Sequence, residues 1–125
     1  METGLDGFRT KLDRELKAGV LTLVLLAGIA RTEPVHGYRL LRAIEDASGG
    51  GLVLKEGTAY PLLQNMEKGG LIASHWGEGP SGPARRYYRI TASGRQALRR
   101  GIADWKDLNE TAARLLEKDW GGPEA

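Results

Sequence analysis

Four polar side chains fall close together in one apolar-patterned stretch: Thr58, Tyr60, Gln64 and Asn65. Carboxamides such as those of Gln64 and Asn65 can pair with an adenine edge, and the hydroxyls of Thr58 and Tyr60 can bind phosphate. Taken alone, the four are equally what a solvated helix face carries. Further along, Arg85 and Arg86 follow a run of turn-forming residues from Gly77 to Pro83. Glycines let backbone approach a polyanion closely, and guanidinium groups that neutralise phosphates release counterions. The competing reading is a surface loop with some arginines.

Charge distribution favours the first reading at the hairpin. Net charge over the 125 residues is only +2, yet residues 75–100 carry six arginines against one glutamate, while residues 101–125 carry three bases against six acids. A basic patch beside an acidic tail suits one face against a polyanion and another against water or a partner. Other chemistries find little support. The chain has no cysteine, which excludes disulfides, thiolate metal sites and a cysteine nucleophile. His36 and His75 lack metal-ligand spacing, and neither a nucleophile–base set nor a cofactor fingerprint stands out, so no catalytic residue, metal or cofactor is expected. His36 should cap or pack at a helix start, and His75 should lie on a strand. The stretch from Gly77 to Gly82 lacks the Gly-Lys-Ser/Thr of a nucleotide loop. No signal peptide is visible, and the apolar run Val20–Ile29 is too short to span a bilayer, so the cytoplasm is the default compartment.

These residues need elements to position them. Leu5, Phe8, Leu12 and Leu16 recur at helical spacing and lead into an apolar run, which predicts a helix from about Leu5 to Arg31, ended ahead of Pro34. Gly19 should mark a kink or a close approach. A second helix is expected from Gly37 to Ser48, stopped by Gly49–Gly51. Leu52–Leu54 reads as a strand fragment. A third helix is expected from Thr58 to Lys68, with Thr58 as its cap, Pro61 in its first turn, and Leu62, Leu63 and Met66 buried. Leu71–Trp76 and Arg86–Thr91 read as the strands of a hairpin. A last helix should begin after Thr91 or Ser93 and reach about Lys118. Leu98, Ile102, Trp105, Leu108, Ala112 and Leu116 form an apolar seam along it, suited to a partner helix. Asn109 is either a register-setting polar group in that seam or an exposed edge. The fold class is therefore mainly α with a small β-hairpin: a winged helix-turn-helix over residues 1–92, and a long C-terminal dimerisation helix with a short tail over 93–125.

The strings Pro34-Val35-His36-Gly37-Tyr38, Gly57-Thr58-Ala59-Tyr60-Pro61-Leu62-Leu63 and Glu67-Lys68-Gly69-Gly70-Leu71-Ile72 occur in order. Trp76-Gly77-Glu78, Arg85-Arg86-Tyr87-Tyr88-Arg89-Ile90-Thr91 and Gly94-Arg95 follow. Together they closely resemble the PadR family of transcriptional regulators over roughly residues 15–110. The resemblance implies a dimeric winged-helix protein, usually a repressor, that binds double-stranded DNA at a near-palindromic operator. It implies that Tyr38, Thr58, Tyr60, Arg85 and Arg86 lie at or near DNA. It also implies that Trp105 sits where some short members stack a planar aromatic ligand at the dimer centre; the plainer role is interface core alone. Two departures stand out. Ala59 replaces a larger apolar residue, which suggests looser packing, and Asn65 stands where arginine is common, which removes a cation from the recognition helix. The alternative function is a winged-helix protein-interaction module without DNA binding.

Overall fold

The computed structural model describes residues 4–79, 82 and 84–121. Positions 80, 81 and 83 of the expected turn, and the last four residues of the tail, lie outside the described residues. Helix α1 (Gly4–Thr32) changes character along its length. Leu21, Leu25 and Ile29 recur every four residues and, with Leu26, are buried, whereas Leu5, Phe8, Leu12 and Leu16 are exposed. The helix runs through Gly19, and among the described residues of this one protomer nothing lies within 4 Å of a Cβ built there, so the expected close approach is not found within it. The close approach occurs at Gly28 instead, where a Cβ would stand 2.8 Å from Leu40 Cδ1.

Strand β1 (Val35–His36) has two residues and no periodicity to reveal it, yet it completes a sheet. Helix α2 (Gly37–Ala47) follows at once, and His36 is its N-cap. Its buried face is Leu40, Leu41 and Ile44. It stops because Gly49 and Gly50 adopt φ of 59° and 81°, which glycine tolerates and side-chain-bearing residues resist. Leu52–Leu54 forms no strand among the described residues: Ser48 Oγ accepts the Leu52 N–H at 3.0 Å, and Leu54 anchors the segment in the core as coil.

Helix α3 (Glu56–Lys68) begins two residues earlier than expected. Lys55 takes the extended backbone of the N-cap without a side-chain bond, and Glu56 places negative charge in the first turn, where the helix dipole favours it. Thr58 is therefore not the cap. It is the third helical residue, and its N–H donates to Lys55 O at 3.0 Å. Pro61 consequently falls beyond the first turn, inside the helix. Ala59, Leu63 and Met66 are the buried stripe, with Leu62 packed at its margin.

Strands β2 (Ile72–Glu78) and β3 (Ala84–Ile90) pair antiparallel from Ile72↔Ile90 to Glu78↔Ala84, and β1 joins the other edge of β3 through Val35↔Tyr88. The result is a three-stranded sheet in the order β1-β3-β2 rather than a bare hairpin. Thr91, expected to end the returning strand, caps α4 (Ala92–Glu117) by accepting the Gly94 N–H at 3.0 Å. Glu33 ties the chain's early and late parts together. One carboxylate oxygen accepts the Ile90 N–H at 3.1 Å, and the other is ion-paired with Arg95. The start of α4 packs on α1, where a Cβ at Gly101 would meet the Leu23 methyl. Among the described residues, no helix is long and apolar enough to cross a membrane.

Candidate nucleic-acid interface

The N-terminus of α2, the exposed side of α3 and the strands of the hairpin converge on an open hollow of about 420 Å³. Tyr38, Tyr60, Gln64, Arg85 and Arg86 line it, so five of the seven residues singled out from the sequence come together, with His36 added. Gly37 makes the junction possible: a Cβ there would lie 2.8 Å from the Tyr60 ring. Two residues stand apart. Thr58 borders a second hollow shared with α1 and the Leu52–Lys55 coil, and Asn65 is exposed on α3 outside both.

Arg85 and Arg86 read as an equivalent pair in the sequence, but successive strand residues point to opposite faces. Arg85 lies beside His36, its Nη1 3.0 Å from Nε2. Arg86 turns toward α3. Its Nη2 donates to Glu67 Oε1 at 3.0 Å, its Nε donates to Ser74 Oγ at 2.8 Å, and Ser74 Oγ donates to Glu67 Oε2 at 2.6 Å. The same guanidinium lies 5.9 Å from the Trp76 ring centre. Arg86 is thus engaged by the protein, and the signal for this, Glu67 on one element and Ser74 on another, is legible only once both are folded.

His36 was expected at a helix start and His75 on a strand, and both are found there. The His36 ring meets Tyr87 edge-on, and Tyr87 in turn stacks on His75. Each His36 nitrogen faces a donor: the Arg39 N–H at 3.3 Å from Nδ1, and Arg85 at Nε2. A neutral imidazole accepts at only one nitrogen, so the two donors compete for one lone pair. Burial first, then the charges of Arg85 and Arg39, hold the His36 pKa below 6.5. Burial, reinforced by Glu56, raises the Tyr60 pKa, which keeps its hydroxyl protonated as a donor.

Protonating His36 removes the single accepting lone pair, so neither donor then has a partner on the ring. Because the folded state depresses this pKa, His36 stabilises the fold fully above about pH 6.5, and that contribution is lost as pH falls through the lowered value. His36→Asn retains a capping side chain and does not titrate. Urea midpoints should therefore fall more steeply for the wild type than for His36→Asn between about pH 7 and pH 5. Parallel curves would remove His36 from the pH response.

Sequence reasoning missed Arg39 and Arg42. They stand three apart on α2 next to Tyr38, and Arg42 Nη1 donates to the Tyr38 hydroxyl at 3.3 Å. The available signal was a pair of cations one helical turn apart following an exposed tyrosine.

Helix-turn-helix elements α2 and α3, followed by an antiparallel hairpin, define a winged-helix protein of the DNA-binding class. The model of the PadR-like transcriptional regulator family matches residues 25–100, and the chain belongs to that family. Its members are transcriptional regulators and not enzymes. The chain is 36% identical over 82% of its length to a transcriptional regulator of Mycobacterium tuberculosis, covering 89% of that protein. A PadR family regulator of Eggerthella lenta superposes with a TM-score of 0.79 at 34% identity, over 92% of this chain and 97% of the other. A PadR-like regulator of Bacillus cereus gives 0.68 at 31% identity, over 84% and 99%.

Proposed function

We propose that the chain is a homodimeric repressor that reads a near-palindromic operator through α3. Gln64 and Asn65 contact base edges, and the hydroxyls of Tyr38, Thr58 and Tyr60 together with Arg85 engage the backbone. The observation that carries this is the convergence of Tyr38, Tyr60, Gln64 and Arg85 on one open hollow where α2, α3 and the hairpin meet. In this reading residues 93–125 serve dimerisation. What supports that part is the apolar surface left uncovered on one protomer, with Trp105 43% and Leu108 68% exposed. Trp105 belongs to this interface, and the finer proposal is that a planar aromatic ligand stacking on it relieves repression. Its exposed indole is the support, since a tryptophan face offers stacking area at low entropic cost.

The test is competition between an operator selected from random duplexes and unrelated DNA. Gln64→Ala and Asn65→Ala should each erode the preference by about 1–3 kcal/mol per lost base contact. They should leave the salt dependence nearly unchanged. Equal weakening on both DNAs would assign base reading to another face.

A further inference from the structure

The recognition helix supplies little of the charge that holds DNA. Between Glu56 and Lys68, α3 carries two glutamates and one lysine. Asn65 stands on it without charge, and Arg86, which reaches it from β3, is neutralised by Glu67. Attraction to a polyanion must come from neighbouring elements. Arg39 and Arg42 of α2 and Arg85 of β3 border a second open hollow of about 440 Å³, adjoining the first through His36 and Tyr38. Asp46 also borders it, yet among the described residues none of these three arginines has a carboxylate oxygen within 4.0 Å. Arg86, Arg95 and Arg100 each have one. Three guanidinium groups without a carboxylate partner around one hollow repel one another, and a polyanion laid across them removes that repulsion. Tyr38, 59% exposed between them, adds a hydroxyl at the same surface.

We propose that Arg39, Arg42 and Arg85 are the phosphate-contacting cations of this protein, and that Arg86 is a strut holding the hairpin on α3 rather than a DNA contact. The proposal rests on the DNA-binding reading above. The backbone of the duplex runs past the start of α2 and over Arg85, while α3 faces the groove. Arg85 can leave His36 for a phosphate at little cost, because His36 Nδ1 is then free to accept the Arg39 N–H and cap α2.

The experiment is fluorescence anisotropy of the full chain with a short duplex of arbitrary sequence, across about 50 to 200 mM salt. Each phosphate contact removed should flatten the slope of log K against log salt by about 0.9. The expected result is a flatter slope for Arg39→Ala/Arg42→Ala and for Arg85→Ala, with the far-ultraviolet circular dichroism of the wild type. The charge-neutral pair Arg86→Gln/Glu67→Gln should keep the wild-type slope. If the wild type binds with a steep slope and the α2 variant keeps that slope, the cation assignment is overturned and the DNA reading stands. If Arg86→Gln/Glu67→Gln flattens the slope as much as Arg85→Ala, the strut is overturned. If the wild type shows no salt-dependent binding, both fall.

Discussion

Gly94→Ala is expected to destabilise the fold by about 3 kcal/mol, the upper end of what overpacking a close-packed site costs. A Cβ at Gly94 would lie 2.0 Å from the Leu71 carbonyl oxygen and 2.7 Å from Ile90 Cγ1. The first of these is backbone and cannot rotate away. That oxygen already accepts the Thr91 N–H at 3.1 Å and the Thr91 hydroxyl at 3.0 Å. Relief therefore requires the first turn of α4 to lift off the sheet, which breaks the Thr91 cap as well. Gly101→Ala is the comparison. There the nearest atoms are the tip of the Leu23 side chain, at 2.4 Å, which can turn. Urea unfolding should show a much larger loss for Gly94→Ala than for Gly101→Ala, and equal losses would contradict this packing.

The second large effect is expected at the apolar surface that one protomer leaves uncovered. On α1, Leu5, Phe8, Leu12 and Leu16 repeat at helical spacing with Phe8 60% exposed, and on α4 the exposed set includes Trp105, Leu108, Leu115 and Leu116. Full burial of such side chains is worth about 1.5–3 kcal/mol each before the entropy of association. Leu98, by contrast, is partly buried against the protomer's own core. In the proposed dimer, Leu108→Asp brings an unpaired charge from each copy into the interface. A cost of about 3 kcal/mol corresponds to more than a hundredfold in the dissociation constant. Sedimentation velocity at micromolar concentration should show a dimer for the wild type and a folded monomer for Leu108→Asp. A wild type that sediments as a monomer would end the dimer proposal.

Local pattern carried most of the architecture. Apolar spacing placed all four helices, and Gly49–Gly51 and Gly69–Gly70 ended α2 and α3 where φ or turn chemistry requires it. Two of the misses, β1 and Leu52–Leu54, share a cause, which is that they depend on partners distant in sequence; the third, at Thr58, is local. Strand β1 exists because Val35 pairs with Tyr88. Leu52–Leu54 looks like a strand by composition, but no neighbouring edge receives it, and Leu54 is drawn into the core as coil. Thr58 has the right side chain for a cap, yet the helix starts at Glu56 because Lys55 already takes the extended backbone there. The candidate site divides in the same way. Tyr60, Gln64 and Arg85 were singled out by residue type and position and Tyr38 by the family resemblance, and the fold brings these four to one hollow. The engagement of Arg86 by Glu67 and Ser74, and the lack of a carboxylate within 4.0 Å of Arg39 and Arg42 among the described residues, depend on the folded arrangement.

Selection of binding sites from a random duplex library, followed by hydroxyl-radical footprinting of the wild-type chain, tests operator recognition most directly. The expected result is a near-palindromic sequence with two protected half-sites on one face of the duplex, their centres about 34 Å apart, as two recognition helices related by a two-fold axis require. Enrichment of no sequence, or protection of a single half-site without a symmetric mate, would contradict it.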